Sequence, residues 1–338
     1  MVEPIEGTAI RRPILIPTGL AIAGAVFVAG MATGAFLRRR PRIGHFTSGA
    51  AKGRYMDAYS RAMEEMPADP QTFDIRTEFG VVRVYKYRGA DDNATPVLLL
   101  PGRAAASPMW AGDLPWLLAV RSVYVLDLLG EPGMSVQDRP METSVDQATW
   151  LHEVLEQLPE PEVHVLGLSF GGWVACNLAI HFPKKISSVV LLEPVFTFAG
   201  ISAEVMVRSI PATIRWLPKR WREQFTSWTA GGADVEDVPV ARVIEAGLQT
   251  YSLKLPYPQR FTEEQLQSVD RPMLVVLGGR SGMHDSYVAA ATARRVLRRG
   301  EVEVFADASH AVNGDATEEL AARVTRFLQE NPDPSAAR

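Results

Sequence analysis

Six short, almost uninterrupted apolar runs recur along the chain, at 97–100, 123–126, 163–166, 189–192, 273–277 and 302–305. A strand with one wet face alternates apolar and polar residues. A strand that is apolar at nearly every position is buried on both faces. Helix-length stretches follow at 145–158, 172–182, 287–299 and 318–329. Short buried strands alternating with helices predict an α/β fold, a mostly parallel, doubly wound sheet covered on both sides. Residues 73–79 and 81–87 flank Gly80 and read as a hairpin at its start. In such sheets, sites form at the carboxyl ends of the strands.

The rhythm breaks between 197 and 268, a long stretch without clear strands that carries Trp216, Trp221, Trp228, Tyr251, Tyr257 and several prolines. It reads as a helical insertion between two strands. The expected organisation is therefore a domain over 73–329 with a helical insertion over 197–268 inside it. Hydrophobic residues make up 47% of the 338 and charged residues 22%, enough apolar material for a large core, which excludes wholesale disorder. Cys176 is the single cysteine, so neither an internal disulfide nor a multi-cysteine metal site can form. The formal charge of −4 leaves no basic footprint for nucleic acid.

The charge is uneven. Residues 1–54 hold eight Lys/Arg and two acids, leaving −10 for the remainder of the chain. Within this basic head, residues 13–37 are 25 consecutive positions without a charge, His, Asn or Gln. As a helix they would extend roughly 37 Å, enough to cross a bilayer core of about 30 Å. Arg11-Arg12 precedes the run and Arg38-Arg39-Arg40-Pro41-Arg42 follows it. The expected reading for 1–44 is a single-pass membrane anchor. A cleaved export signal and a buried soluble helix are the competing readings; the length of the run and the arginine block behind it disfavour them. The heavier Lys/Arg load on the carboxy-terminal side places the body in the cytoplasm. Gly30 and Gly34 form a small-xxx-small pair through which two such helices would pack as a homodimer; simple Ala/Gly richness is the alternative. Residues 45–72 read as a polar tether with a short helix, in which Tyr55, Tyr59, Ala62, Met63 and Met66 fall near helical spacing until Pro67 and Pro70. Packing on the domain is the expected use of that helix.

Gly167-Leu168-Ser169-Phe170-Gly171 follows a predicted strand and opens a predicted helix. Such a strand–turn–helix lifts one hydroxyl off the sheet in a strained conformation, and glycines two residues on either side avoid collision. The helix amino terminus adds partial positive charge at the reacting centre. A serine hydroxyl needs a base. Of six histidines, His310 lies just beyond the last strand, at the same sheet edge as Ser169. His45, His152, His164 and His181 are better explained by surface or packing roles, and His284, on a loop, is the one rival.

Residues 73–329 resemble an α/β-hydrolase, and the 197–268 insertion resembles that family's helical cap. Pro101-Gly102-Arg103 stands where that family has its His-Gly oxyanion loop. Residues 127–135, Asp-Leu-Leu-Gly-Glu-Pro-Gly-Met-Ser, are similar to the family's Asp-x-x-Gly-x-Gly-x-Ser stretch. The resemblance implies that the backbone amides of Phe170 and Arg103 form an oxyanion hole. The Arg103 side chain has two open readings, a grip on an acidic substrate group or a surface cation. The acid departs from the pattern: Leu277-Gly278-Gly279-Arg280-Ser281 puts a serine where the family usually has aspartate. Two carboxylates remain, Glu193 at the end of the sixth of the family's strands and Asp285 beyond the seventh, with Glu193 slightly preferred. A carboxylate capping or bracing a loop is the plain alternative for each.

These parts imply a serine hydrolase that cleaves a carboxylic ester or thioester without metal or cofactor. A serine at the elbow disfavours the alkyl-enzyme chemistry of epoxide hydrolases and dehalogenases, and the absence of His-Gly-Gly-Pro disfavours a peptidase. The expected substrate is a small, apolar ester. Two other readings stay open: a catalytically inactive binding protein of the same fold, and a perhydrolase or carbon–carbon hydrolase using the same site.

Overall fold

A computed structural model of the chain describes residues 42–202, 204–205, 208, 227–228 and 238–331. The apolar run at 13–37, the Gly30/Gly34 pair, Trp216 and Trp221 lie outside these residues. Among the described residues no helix is long and apolar enough to cross a membrane. Two compact units are distinguished, Met1–Pro41 and Arg42–Arg338. Residues 45–72 thus belong to the same unit as the rest of the body.

In chain order the second unit contains β1 (His45–Phe46), α1 (Gly49–Met63), β2 (Gln71–Thr77), β3 (Gly80–Tyr87), β4 (Val97–Leu100), a 3-10 turn (Ser107–Trp110), α2 (Leu114–Leu118), β5 (Val123–Leu126) and β6 (Val136–Gln137). There follow α3 (Ser144–Gln157), β7 (Val163–Leu168), α4 (Phe170–His181), β8 (Ile186–Leu192), α5 (Pro239–Thr250), β9 (Tyr251–Ser252) and α6 (Glu263–Ser268). The chain closes with β10 (Met273–Gly278), α7 (Ser286–Val296), β11 (Gly300–Phe305), α8 (Val312–Asp315) and α9 (Thr317–Glu330).

The main sheet runs β11-β10-β8-β7-β4-β5-β3-β2, with β6 also pairing β3. Strands β4, β5, β7, β8, β10 and β11 run parallel to one another, and the β2–β3 hairpin joins antiparallel at the edge, β3 against β5. The apolar strands divide their side chains by period two. Leu98 and Leu100 face a core built with Trp150, Trp173 and Ala293 of α3, α4 and α7. Val97 and Leu99 face the opposite core, with Trp110, Leu114 and Phe327. Each wholly buried leucine contributes about 2 kcal/mol, so polar residues are excluded from these positions on both faces.

Two connections set up the site. The chain crosses from β4 to β5 on one side and returns to β7 on the other side of β4. This is the switch point at which the loops after adjacent strands diverge and leave a crevice. The register Leu100↔Gly167 brings the ends of β4 and β7 level, and Leu168↔Leu192 does the same for β7 and β8. Among the described residues the insertion between β8 and β10 carries α5, α6 and the short strand β9, which pairs β1 over two residues. Helix α1 packs on α5 and buries Tyr55, Tyr59 and Ala62 with Val243.

Candidate active site

β7 runs into Ser169 and α4 starts one residue later. Ser169 sits at φ 54, ψ −116, a conformation that a residue with a Cβ rarely adopts. Close packing fixes the turn: a Cβ on Gly167 would lie 2.2 Å from the Gly171 carbonyl oxygen, and one on Gly171 would lie 2.1 Å from that of Leu100. The Ser169 amide donates to the Leu192 carbonyl at 2.9 Å, so β8 braces the turn as well. The side chain makes no capping bond to its own helix. Its Oγ lies 2.9 Å from His310 Nε2.

His310 comes from the loop between β11 and α8. That loop is held from three sides. The Ser309 amide donates to Asp315 at 2.7 Å, the Arg280 amide donates to the Ala308 carbonyl at 2.9 Å, and Asn313 donates to Asp113 at 2.8 Å. Burial pushes the Asp113 carboxyl up to about 6, opposed by the hydrogen bond of Asn313.

The carboxylate at the other face of the ring is Glu193. It follows β8 directly, at φ 47, with its amide donating to the Val276 carbonyl at 2.8 Å. The side chain is wholly buried. Oε1 accepts from the Gly278 amide at 2.6 Å. Oε2 accepts from Ser281 Oγ at 2.6 Å and lies 2.8 Å from His310 Nδ1. Burial would raise its pKa, but the hydrogen bond and charge of His310, with His284 and Ser281, hold it below the ordinary carboxylate value. An ionised carboxylate only accepts, so Nδ1 carries the proton and Nε2 presents its lone pair to the serine hydroxyl. Asp285 is placed elsewhere: its Oδ1 accepts from the Tyr287 and Val288 amides, both at 3.0 Å, as the amino-terminal cap of α7.

The loop expected to carry one oxyanion donor lies beside the serine. A Cβ on Gly102 would lie 3.6 Å from Ser169 Cβ, which puts the loop after β4 against the serine. As the first residue of α4, Phe170 has no acceptor for its amide inside the helix. Neither the Phe170 nor the Arg103 amide donates to a carbonyl elsewhere among the described residues. The Arg103 side chain is engaged within the protein. Its Nη1 donates to Glu131 at 2.9 Å and its guanidinium lies 4.0 Å from the centre of the Phe170 ring.

The remaining histidines are accounted for locally. His45 Nδ1 is 2.9 Å from the Ile43 carbonyl, and His152 stacks on Phe182 at 4.5 Å. His164 Nδ1 is 2.7 Å from Ser188 Oγ, and burial, then Arg121, pushes it down to about 3. Burial also lowers His181. His284 is buried with Nε2 3.7 Å from Glu193 Oε1. Three contributions escaped the sequence reading: Ser281 as a donor to the acid, Asn313 as a brace, and Glu131 under the oxyanion loop. The first had a signal, since Ser281 stands at the position vacated by the expected aspartate, and Glu131 had a weak one as a residue of the 127–135 stretch. Among the described residues no group of three or more His, Cys, Asp or Glu side chains is placed to hold a metal ion.

Comparison with known proteins agrees with this architecture. The profile described as the Alpha/beta hydrolase family matches residues 97–323. The uncharacterized carboxylesterase nap of Bacillus subtilis (strain 168) is 26% identical over 282 residues, covering 81% of this chain and 92% of its own. Carboxylesterase YbfK of the same organism is 25% identical over 282 residues, covering 81% and 93%. The crystal structure of naproxen esterase (carboxylesterase NP) from Bacillus subtilis superposes with a TM-score of 0.76 at 25% identity, over 83% of this chain and 99% of that one. These similar proteins are carboxylesterases, consistent with an enzyme acting on ester bonds. With the family profile spanning β4 to α9, the chain belongs to the alpha/beta hydrolase family.

Proposed function

We propose that the protein is a serine esterase in which Ser169 is the nucleophile, His310 the general base and acid, and Glu193 the carboxylate that orients His310. The observation that carries this reading is the continuous relay from Ser169 Oγ to His310 Nε2 at 2.9 Å and from His310 Nδ1 to Glu193 Oε2 at 2.8 Å. It is mounted on a strained turn at the start of α4.

Ser169 Oγ attacks the ester carbonyl carbon while its proton passes to His310 Nε2. The carbonyl electron pair moves onto oxygen, where the amides of Phe170 and Arg103 receive it. Such a donor is worth about 3 kcal/mol of barrier. Collapse of the tetrahedral intermediate breaks the bond to the leaving alkoxide or thiolate, which takes the proton from Nε2. Water then repeats the sequence on the acyl-enzyme, giving the acid and free Ser169. Glu193 stays ionised and stabilises the imidazolium.

The substrate class is a small, apolar carboxylic ester. The resemblance to carboxylesterases of matching length supports it, as does the aromatic content of the 197–268 insertion. An intact relay leaves the inactive binding protein without an observation in its favour. We place the run at 13–37 in a membrane with the hydrolase domain on the cytoplasmic side, on its uncharged length and the arginines behind it. A reporter fused after residue 60 tests that placement; an external signal reverses it.

A fluorophosphonate probe tests the activity, followed by a p-nitrophenyl ester series of increasing chain length. Labelling of wild type, abolished in Ser169→Ala, with turnover greatest on short acyl chains, is the expected result. A folded wild type that neither labels nor turns over any ester removes the esterase reading.

A further inference from the structure

We infer that Glu131 is a positioning residue for the oxyanion hole, acting through the Arg103 side chain and the Ala104 amide; this rests on the esterase reading above. The loop from Pro101 to Ala106 has no regular structure until the 3-10 turn at Ser107–Trp110. Two of its residues with a Cβ, Ala104 at φ 58 and Ala106 at φ 57, sit in the left-handed region. Backbone of that kind persists only where the surroundings over-determine it.

Glu131 supplies the ties. It follows β5 in a turn at Gly130, φ +87, with its own amide donating to the Leu128 carbonyl at 3.2 Å. Its side chain is buried at 4% exposure. One oxygen accepts from the Ala104 amide at 3.1 Å and the other from Arg103 Nη1 at 2.9 Å. The same guanidinium lies over the Phe170 ring at 4.0 Å. One carboxylate therefore fixes the amide next to Arg103, and through the guanidinium it joins the two residues whose amides receive the oxyanion. Those amides come from different loops, after β4 and after β7, and have to aim at one point. The contact of Arg103 with Phe170 and Glu131 links the loops through side chains, where no backbone hydrogen bond among the described residues joins the two amides.

The pairing also defines what Arg103 is for. A guanidinium neutralised by a buried carboxylate and stacked on an aromatic ring is held in place, and its charge is already matched. Glu131 touches no reacting atom. Its loss acts on the chemical step through geometry, which separates it from a residue that merely stabilises the fold.

The test uses the full-length protein with p-nitrophenyl butyrate and, as an oxyanion probe, a trifluoromethyl ketone that adds to Ser169. Glu131→Ala and Arg103→Met are expected to lower kcat by about 10- to 100-fold with KM within about threefold. The affinity of the ketone should weaken by the same factor. Glu131→Gln, which keeps an acceptor for the Ala104 amide, should fall between wild type and Glu131→Ala. A purely structural role predicts a lower Tm with kcat per folded molecule unchanged. If Glu131→Ala fails to fold, Glu131→Gln and Arg103→Met carry the comparison. An active wild type with kcat and ketone affinity unchanged in the folded variants overturns this inference alone. A wild type inactive on every ester overturns it together with the esterase reading.

Discussion

Glu193 and Asp127 occupy equivalent places in the sheet. Each is the first residue after a parallel strand, Glu193 after β8 and Asp127 after β5, and each is wholly buried. Each is satisfied by several donors. Asp127 accepts from the Ser107 amide and hydroxyl at 2.7 and 2.6 Å, the Met134 amide at 2.7 Å and Tyr59 OH at 3.0 Å. None of those partners is a cation, and burial leaves the Asp127 pKa raised despite them. Burial also acts on Glu193, but two histidines face it and its pKa falls below the ordinary value. Burial and hydrogen bonding are common to both. The difference is an imidazole on one oxygen whose far nitrogen meets a hydroxyl. In the proposed mechanism that makes Glu193 part of a proton relay and leaves Asp127 a knot joining α1, the 3-10 turn and the loop before β6.

The sharpest way to break this contrast is to neutralise each carboxylate with its isosteric amide. Glu193→Gln should lower kcat/KM by about 10⁴-fold, because a neutral amide no longer fixes the His310 tautomer or stabilises its cation. Asp127→Asn should retain activity within about tenfold per folded molecule, the relay being untouched. Equal losses in p-nitrophenyl ester assays would show that the two carboxylates are not divided in this way.

The next largest effect lies in stability and runs the other way. Asp127→Ala removes the acceptor of two amides and the Ser107 hydroxyl, while Tyr59 OH keeps its bond to Tyr85 OH. A loss on the order of 3 kcal/mol is expected, read from the urea midpoint at constant m-value. The Tyr59 bond makes α1 part of this loss, so the α1–α5 contact should be the first region to lose protection in hydrogen exchange. A shift of less than about 1 kcal/mol would mean that water replaces the lost acceptor.

How much of this could be read from residues alone follows the same division. The six apolar runs gave the sheet because a strand buried on both faces has few polar positions, and the extra residues found at strand ends changed no pairing. Ser169 and His310 were legible since each is fixed by its place along the chain relative to a strand. The acid was legible only as a slight preference for Glu193, because the loops after β8 and β10 open at the same edge, and only the register between those strands decides which carboxylate arrives. Met273 pairs with Val189, the Glu193 amide meets Val276, and Glu193 is thereby turned toward His310 while Asp285 begins α7. The two-residue strands β1, β6 and β9 carry too little pattern to be seen. Glu131 was visible as a residue of the 127–135 stretch, but its direction depends on the backbone at Gly130, and its partner Ala104 has no side-chain chemistry to announce it.

A smaller difference of opposite sign is expected in the pH dependence of stability. Between its lowered folded value and its ordinary one, Glu193 stays ionised in the folded protein while the unfolded chain takes up a proton. Its contribution is complete above the ordinary value and is lost as the pH falls through the folded one. Asp127 is raised, so in the window above its ordinary value the folded protein takes up the proton first, and its contribution grows as the pH falls. Urea midpoints from about pH 6 to about pH 3 should therefore decline less steeply in Glu193→Gln than in wild type, and more steeply in Asp127→Asn. Parallel profiles would show that the two groups titrate alike.

The smallest effect sharpens the contrast by adding a third carboxylate. Asp285 lies close in sequence to the site but is exposed, and its one engaged oxygen caps α7 through the Tyr287 and Val288 amides. Removing such a cap costs about 1 kcal/mol of stability. Asp285→Ala should therefore shift the urea midpoint by that modest amount and leave kcat/KM within about twofold, since the relay is untouched. Asp285→Ser, which restores a capping oxygen without a charge, should recover most of the stability. Recovery with serine would show that Asp285 acts on the helix as a hydrogen-bond acceptor. A fall in activity approaching that of Glu193→Gln would instead place Asp285 in the relay and remove the distinction between a carboxylate that holds a helix and one that holds a histidine.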